Sequence, residues 1–161
     1  MACSGIHSTT ENPASYPGLF NLAYYHISKG DSLKEALDIL QQATELCKSQ
    51  MEQEGYDQDD IDKELLVIES QRAYVLQMLG QTAEAQQVYQ KVLCAKNLDP
   101  VILAIATNNL QVVKGAQDVL EVSKALKFIN TPSIIAKLNT SQTFLVEFNA
   151  LIYSLLVGKV C

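Results

Sequence analysis

The chain of 161 residues lacks the sequence features that usually indicate a secreted protein, a lipid anchor or a β-sheet. Its N-terminus has neither a basic start nor a long apolar run, so we expect no secretory signal. Ala2 follows Met1, which argues against myristoylation there. The chain has no tryptophan and only four prolines, and alternation of apolar and polar residues is almost absent. This composition favours helices over strands.

Signs of catalysis, of metal or cofactor binding and of nucleic-acid contact are also missing. The four cysteines form no Cys-x-x-Cys pair, and neither histidine stands at metal-ligand spacing from one. They read as reduced thiols of a cytoplasmic protein. The glycines read as helix stops, and no nucleophile is paired with a base, so we expect no enzyme. Twelve scattered basic residues against 18 acids, a net charge of −6, argue against direct nucleic-acid binding by this segment.

One motif occurs twice and is the strongest signal in the chain. Each copy has a turn glycine, a small residue, a bulky residue four positions later and an apolar residue three positions after that. Offsets of four and seven fall on one face of a helix. The copies consist of Gly30, Ala36, Leu40 and Ala43, and of Gly80, Ala85, Tyr89 and Val92. The pattern resembles the second helix of a tetratricopeptide repeat, in which alanine lets a neighbouring helix approach closely.

We therefore predict an all-α fold, a tetratricopeptide-like helical repeat array (α-solenoid) of about three divergent helix pairs plus a final helix. It would occupy residues 17–161 behind a flexible leader, residues 1–16. Ser32 and Glu35 form a capping-box pattern. Packing between helices is assigned to Ala23, Ala36, Leu40, Ala43, Ala73, Ala85 and Tyr89. The predicted helices are 17–29, 33 to about 51 or beyond, 61–79, 83–96, 100–113, 117–128 and 142–157, with a short turn at 131–132.

An acidic insertion, residues 48–62, separates the two motif copies. It explains why they lie 49 residues apart and not about 34. Residues 52–64 hold seven acids against one lysine. We expect a solvated loop that leads into a helix N-terminus, where acids suit the helix dipole. A calcium loop counted from Asp57 fails, because Ile61 and Asp62 stand where a ligand and a glycine are needed.

Longer stretches resemble one family, the 72-kDa subunits of the signal recognition particle. They are Leu19–Tyr24, Gly30–Ala43, Glu45–Cys47, the acidic insertion, Ala73–Tyr89, Leu103–Asn109 with its paired asparagines, and Val146–Ile152 with its Glu-Phe-Asn. The similarity covers about 19–155, is weak over 111–140, and is broken by one extra residue after Gly30. The resemblance implies a cytosolic, non-catalytic scaffold for particle assembly and co-translational protein targeting. It also implies a protein partner, the particle's 68-kDa subunit.

The resemblance to tetratricopeptide repeats also implies positions for partner contact. Such domains bind extended peptides along the first helix of each repeat, often through an asparagine two residues before the small packing residue. That place holds Asn21 before Ala23 and Gln71 before Ala73. We predict partner contacts at Asn21, Tyr25 and Gln71, with a solvated or capping role for the two amides as the alternative. A third repeat would put Ile105 at this place. Isoleucine has no amide, so the row of amide side chains does not continue into that repeat.

The last predicted helix, 142–157, is apolar on nearly every side. It contains Glu147 and Asn149 and is too short to span a bilayer, so we expect no membrane insertion. It is either buried or packed on a continuing chain, on a partner or on another copy. Two other functions stay open: a generic peptide-binding tetratricopeptide adaptor, and a regulatory helical domain that self-associates through 142–157.

Overall fold

A computed structural model describes residues 15–30, 32–115, 119–156 and Gly158, except for the side chain of Val119. The predicted leader, 1–16, lies outside these residues apart from Ser15 and Tyr16. The described residues form eight helices and no strand, which confirms the all-α fold class. The helices are α1 (Tyr16–Lys29), α2 (Leu33–Glu54), α3 (Gln58–Met78), α4 (Thr82–Leu93), α5 (Pro100–Lys114), α6 (Val119–Ile129), α7 (Pro132–Ile135) and α8 (Thr140–Leu156).

The chain divides into two compact units, one ending at Val88 and the other beginning at Tyr89. In the first unit, α2 packs against both α1 and α3. Its core is a cluster of small and large apolar side chains: Phe20, Ala23, Ile27, Ala36, Ile39, Leu40, Ala43, Cys47, Met51, Ile61, Ile68 and Val75. The alanines let helix axes approach, and the larger side chains fill the space beside them.

Local hydrogen bonds close both ends of α1, and the sequence predicts the glycine at its C-terminal end. The Ser15 hydroxyl oxygen accepts a hydrogen bond from the Gly18 backbone N–H at 3.2 Å, and Pro17 lies in the first turn. Gly30 ends the helix in the left-handed region, with φ of 71°. Its backbone N–H donates to the carbonyls of His26 and Ile27. A side chain at this φ would be strained, which accounts for the glycine.

The predicted capping box at the start of α2 is wrong. Ser32 precedes the helix, but its side chain makes no capping hydrogen bond. Its ψ of 49° departs from the extended conformation of an N-cap residue, so the hydroxyl is not aimed at the first free N–H groups. The helix is instead held through its buried face, which carries Ala36, Leu40 and Ala43.

The acidic insertion is mostly helix, which corrects the expected loop. α2 runs to Glu54, and α3 begins at Gln58. Gly55 closes α2 in the left-handed region, and the Asp57 carboxylate accepts from the Asp60 backbone N–H at 2.9 Å. Glutamate is a good helix former, and acids in a first turn suit the helix dipole. The additional residues therefore lengthen both helices and leave a short corner, residues 55–57.

The second unit contains the rest of α4 and α5–α8. α5 packs against α6, α7 and α8, and α6 packs against α8. Asp99 caps α5, accepting from the Val101 N–H at 2.7 Å, with Pro100 as the first helical residue. The buried cluster of this unit consists of Ala104, Val122, Leu126, Ile129, Ile134, Val146 and Tyr153.

Candidate protein-interaction surfaces

The inward side of α8 is unusually polar. Gln142, Val146 and Tyr153 are buried, and Asn149 is partly buried beside them. Gln142 closes the start of the helix with Asn139, since each residue's backbone N–H donates to the other's side-chain oxygen. The Tyr153 hydroxyl donates to the Gln111 carbonyl at 2.9 Å. Hydrogen bonds therefore help to hold α8 against the rest of its unit.

A chain of side-chain hydrogen bonds joins three helices of the second unit. Asn149 of α8 donates to the Asn108 side-chain oxygen at 2.9 Å, and Asn108 donates to Asn109 at 3.2 Å. Asn109 then donates to the Tyr89 hydroxyl of α4 at 3.1 Å. Asn108 and Asn109 are buried in α5. The paired asparagines and the Glu-Phe-Asn stretch, noted in the sequence only as points of resemblance, thus form one buried network.

The outward side of α8 is apolar. Seven large apolar side chains are between 38% and 63% exposed, and we call them the α8 face: Phe144, Leu145, Phe148, Leu151, Ile152, Leu155 and Leu156. Phe144 and Phe148 stack with ring centroids 6.0 Å apart. Glu147 is exposed among them and is the only charged residue of α8. Monomers rarely expose apolar patches of this extent unless something binds there.

The exposed side of α1 carries two of the three predicted contact residues. Asn21 is exposed, and Tyr25 is 56% exposed. The Lys29 ammonium lies 5.7 Å from the centroid of the Tyr25 ring, and His26 meets that ring edge-on. Tyr24 is also exposed. We call Asn21, Leu22, Tyr24 and Tyr25 the α1 surface.

Gln71, the third predicted contact residue, is fully buried in α3. Its side chain has no surface to offer a partner in this conformation, so the helix position alone does not bring it together with Asn21 and Tyr25. The seven predicted packing residues are all fully buried: Ala23, Ala36, Leu40, Ala43, Ala73, Ala85 and Tyr89. Ile105, expected to break the row of amides, is buried as well.

Glu64 of α3 is a half-buried carboxylate in the first unit. Burial raises the pKa of Glu64 above its ordinary value. Burial, and then the charge of Glu64, raise the pKa of Cys47 to about 12. Burial and the same charge raise the pKa of Tyr16 to about 12. Cys47 is therefore a neutral core thiol, with Met51 sulfur 3.7 Å from its own.

No group of three or more His, Cys, Asp or Glu side chains in the described part of the chain is arranged to hold a metal ion. No helix within 15–30, 32–115 and 119–156 is long and apolar enough to cross a membrane.

These features define the class of protein. Buried alanines lie at the spacing of the twice-repeated motif, α2 packs against α1 and α3, and two helices present large side chains outward. The chain is an all-α helical repeat protein of the tetratricopeptide type.

Comparison with known proteins then identifies the family. The chain is 36% identical over 133 residues to signal recognition particle subunit SRP72 of Schistosoma mansoni, covering 81% of this chain and 18% of the relative. It is 34% identical over 131 residues to human SRP72, with 81% and 19% covered, and 39% identical over 103 residues to that of Caenorhabditis elegans, with 64% and 16% covered. No protein-family model matches the chain. Over the matched segment the chain belongs with the SRP72 sequences, which confirms the resemblance.

The chain spans less than a fifth of the length of these SRP72 relatives. The matches therefore concern one helical segment and not the activity of a whole subunit.

Proposed function

We propose that this chain is a non-catalytic protein-interaction scaffold of the signal recognition particle. In this proposal it acts in the cytoplasm, in particle assembly and co-translational protein targeting. The observation that carries the proposal is the SRP72 match over about four-fifths of the chain, because the name of these relatives states that they are particle subunits. Helical repeat proteins act mainly through the surfaces they present to partners, which agrees with a scaffold.

The proposed partner is the 68-kDa subunit of the particle, docked on the α1 surface. Tyrosine is enriched where binding energy concentrates, since its ring offers a large contact area and its hydroxyl a hydrogen bond. The Tyr25 ring is exposed and oriented by Lys29 and His26, so docking would order few additional side chains. Asn21, one helical turn away, supplies an amide for a peptide backbone.

Calorimetric titration of the chain with the C-terminal region of the 68-kDa subunit tests this proposal. We expect binding, and we expect Tyr25→Ala to weaken it about tenfold, a loss of about 1.4 kcal/mol. Tyr56→Ala is the matched control, because Tyr56 is 51% exposed but lies at the corner between α2 and α3.

Two outcomes contradict the proposal. If the folded chain does not bind the 68-kDa region, docking belongs to another part of the particle. If Tyr25→Ala and Tyr56→Ala bind as well as the parent chain, the α1 surface is not the contact.

A further inference from the structure

α8 carries two lengthwise stripes of side chains with the same helical spacing. Positions three and four residues apart fall on one side of a helix. The stripe that contains polar residues consists of Gln142, Val146, Asn149 and Tyr153, and the apolar stripe consists of Leu145, Phe148, Ile152 and Leu155. The two stripes lie one residue apart along the chain, so a turn of α8 by about 100° about its axis would exchange them.

The structure buries the more polar stripe. Gln142, Val146 and Tyr153 are at most 7% exposed, and Asn149 is partly buried. The four side chains of the apolar stripe are between 38% and 53% exposed. Removal of apolar surface from water is the main favourable term in folding, so apolar packing alone would favour the opposite choice. Another interaction therefore selects the side of α8 that is buried.

Two polar anchors join the buried stripe to α5. The Asn149 amide donates to the Asn108 side-chain oxygen at 2.9 Å. The Tyr153 hydroxyl lies 2.9 Å from the Gln111 carbonyl oxygen and 3.3 Å from that of Gly115. Both carbonyls are at the C-terminal end of α5, where a helix has oxygens left to accept further hydrogen bonds. The anchors lie one turn apart on α8, so together they fix its rotation about its own axis.

A turn of α8 by one residue would break both anchors. It would set Phe148, in place of Asn149, against Asn108. The Asn108 side-chain oxygen, buried in α5, would then lose its partner, and a buried polar group without a hydrogen bond is costly. The buried asparagine therefore disfavours the alternative orientation. The choice is made on the side of α8 that meets α5, whatever meets its other side.

We infer that Asn108, Asn149 and Tyr153 form an alignment lock, which selects the more polar stripe of α8 as the side that meets α5. A buried asparagine fixes the register of some coiled coils in the same way, at a cost in stability. This inference goes beyond the proposed function, because it involves neither Tyr25 nor the 68-kDa subunit.

Cysteines at two adjacent positions of α8 report which stripe is buried. Leu145→Cys places a thiol on the apolar stripe, and Val146→Cys places one on the buried stripe. In the parent chain we expect a maleimide to label position 145 about tenfold faster than position 146, because a buried thiol reacts only after local opening. Mass spectrometry of the labelled peptides distinguishes each position from the native cysteines.

Asn108→Leu combined with Tyr153→Phe removes both anchors and adds no charge. We expect α8 then to turn by about one residue, so that labelling slows at position 145 and accelerates at position 146, each by about tenfold. Unfolding cannot produce this pattern, because it accelerates labelling at both positions. Asn21→Leu combined with Tyr24→Phe makes the same two changes at exposed positions of α1 and should leave both rates unchanged.

Two results would overturn the inference. One is unchanged labelling at both positions in Asn108→Leu/Tyr153→Phe, since α8 then keeps its orientation without the lock. The other is faster labelling at both positions together with loss of helix in circular dichroism. In that case the three side chains stabilise the second unit but do not select the orientation of α8.

Discussion

The two units of this chain are held together by different physical means. Up to Val88, only Ser70 and Gln71 are polar residues buried among the described ones, and the core is a cluster of alanines and larger apolar side chains. From Tyr89 on, six polar residues are buried: Thr107, Asn108, Asn109, Gln111, Ser123 and Gln142. The first unit therefore depends on apolar packing, whereas the second adds directional hydrogen bonds, and it presents apolar side chains outward on α8.

The two halves of the chain also differ in net charge. Residues 1–88 contain 14 acids and 5 bases, a net charge of −9, and residues 89–161 contain 4 acids and 7 bases, a net charge of +3. The overall −6 hides this asymmetry. A charge difference of this kind affects which partners each half attracts more than it affects the fold.

The largest expected effect is in the apolar core. Leu40→Ala removes a fully buried side chain packed among alanines, and it should lower the free energy of unfolding by about 2–5 kcal/mol. Urea denaturation followed by circular dichroism measures the change. Leu22→Ala is the control, because Leu22 is exposed, and its effect should stay within about 0.5 kcal/mol. Equal losses in the two variants would show that Leu40 is not a core residue.

A smaller loss is expected in the hydrogen-bond network. Asn109→Leu keeps a similar volume but removes the partner of the Tyr89 hydroxyl and of the Asn108 amide, and it should cost about 1–3 kcal/mol. Denaturation of Asn109→Leu, Tyr89→Phe and the double variant forms a mutant cycle. We expect the double loss to be smaller than the sum of the single losses. Strict additivity would mean that these two groups do not interact.

The smallest expected effect concerns pH and the first unit. Because the pKa of Glu64 is raised in the folded state, its carboxyl favours folding below the ordinary glutamate pKa. That contribution is lost as pH rises through the raised value. Glu64→Gln should therefore be slightly more stable than the parent at neutral pH and equal to it below about pH 4.

Denaturation midpoints across this pH range measure the effect of Glu64. Glu54→Gln, the same substitution at an exposed acid of α2, is measured alongside it as the matched variant. A parent chain and a Glu64→Gln variant with parallel pH profiles would contradict the prediction.

Much of the fold could be predicted because its signals are local. Gly30 and the Asp99-Pro100 pair mark helix boundaries through the backbone conformation of one or two residues. The buried alanines follow from the spacing of the motif. The helical extent of the acidic insertion was missed because a run of acids was read as solvated loop, although glutamates also propagate helices.

The surfaces were harder to predict, because they depend on what each helix meets. α8 is apolar on nearly all sides, so helical periodicity cannot say which side faces the core. Its direction is decided by Asn149 and Tyr153, whose partners lie 41 and 42 residues earlier in the chain. The position of Gln71 in the repeat predicts an exposed amide, but the residue is buried in α3.

The corner between α2 and α3 has a consequence for the order of folding. Gly55 and Asp57 close this corner with hydrogen bonds to residues no more than five positions away. Contacts between neighbours in the chain form quickly, because little loop entropy is lost in closing them. We therefore expect the hairpin of α2 and α3 to begin folding near the corner that joins the two helices. The hydrogen bond from α8 to α5 joins residues 41 positions apart, so it forms only after α8 has been synthesised. We therefore expect residues 1–88, the acidic half, to fold first during synthesis.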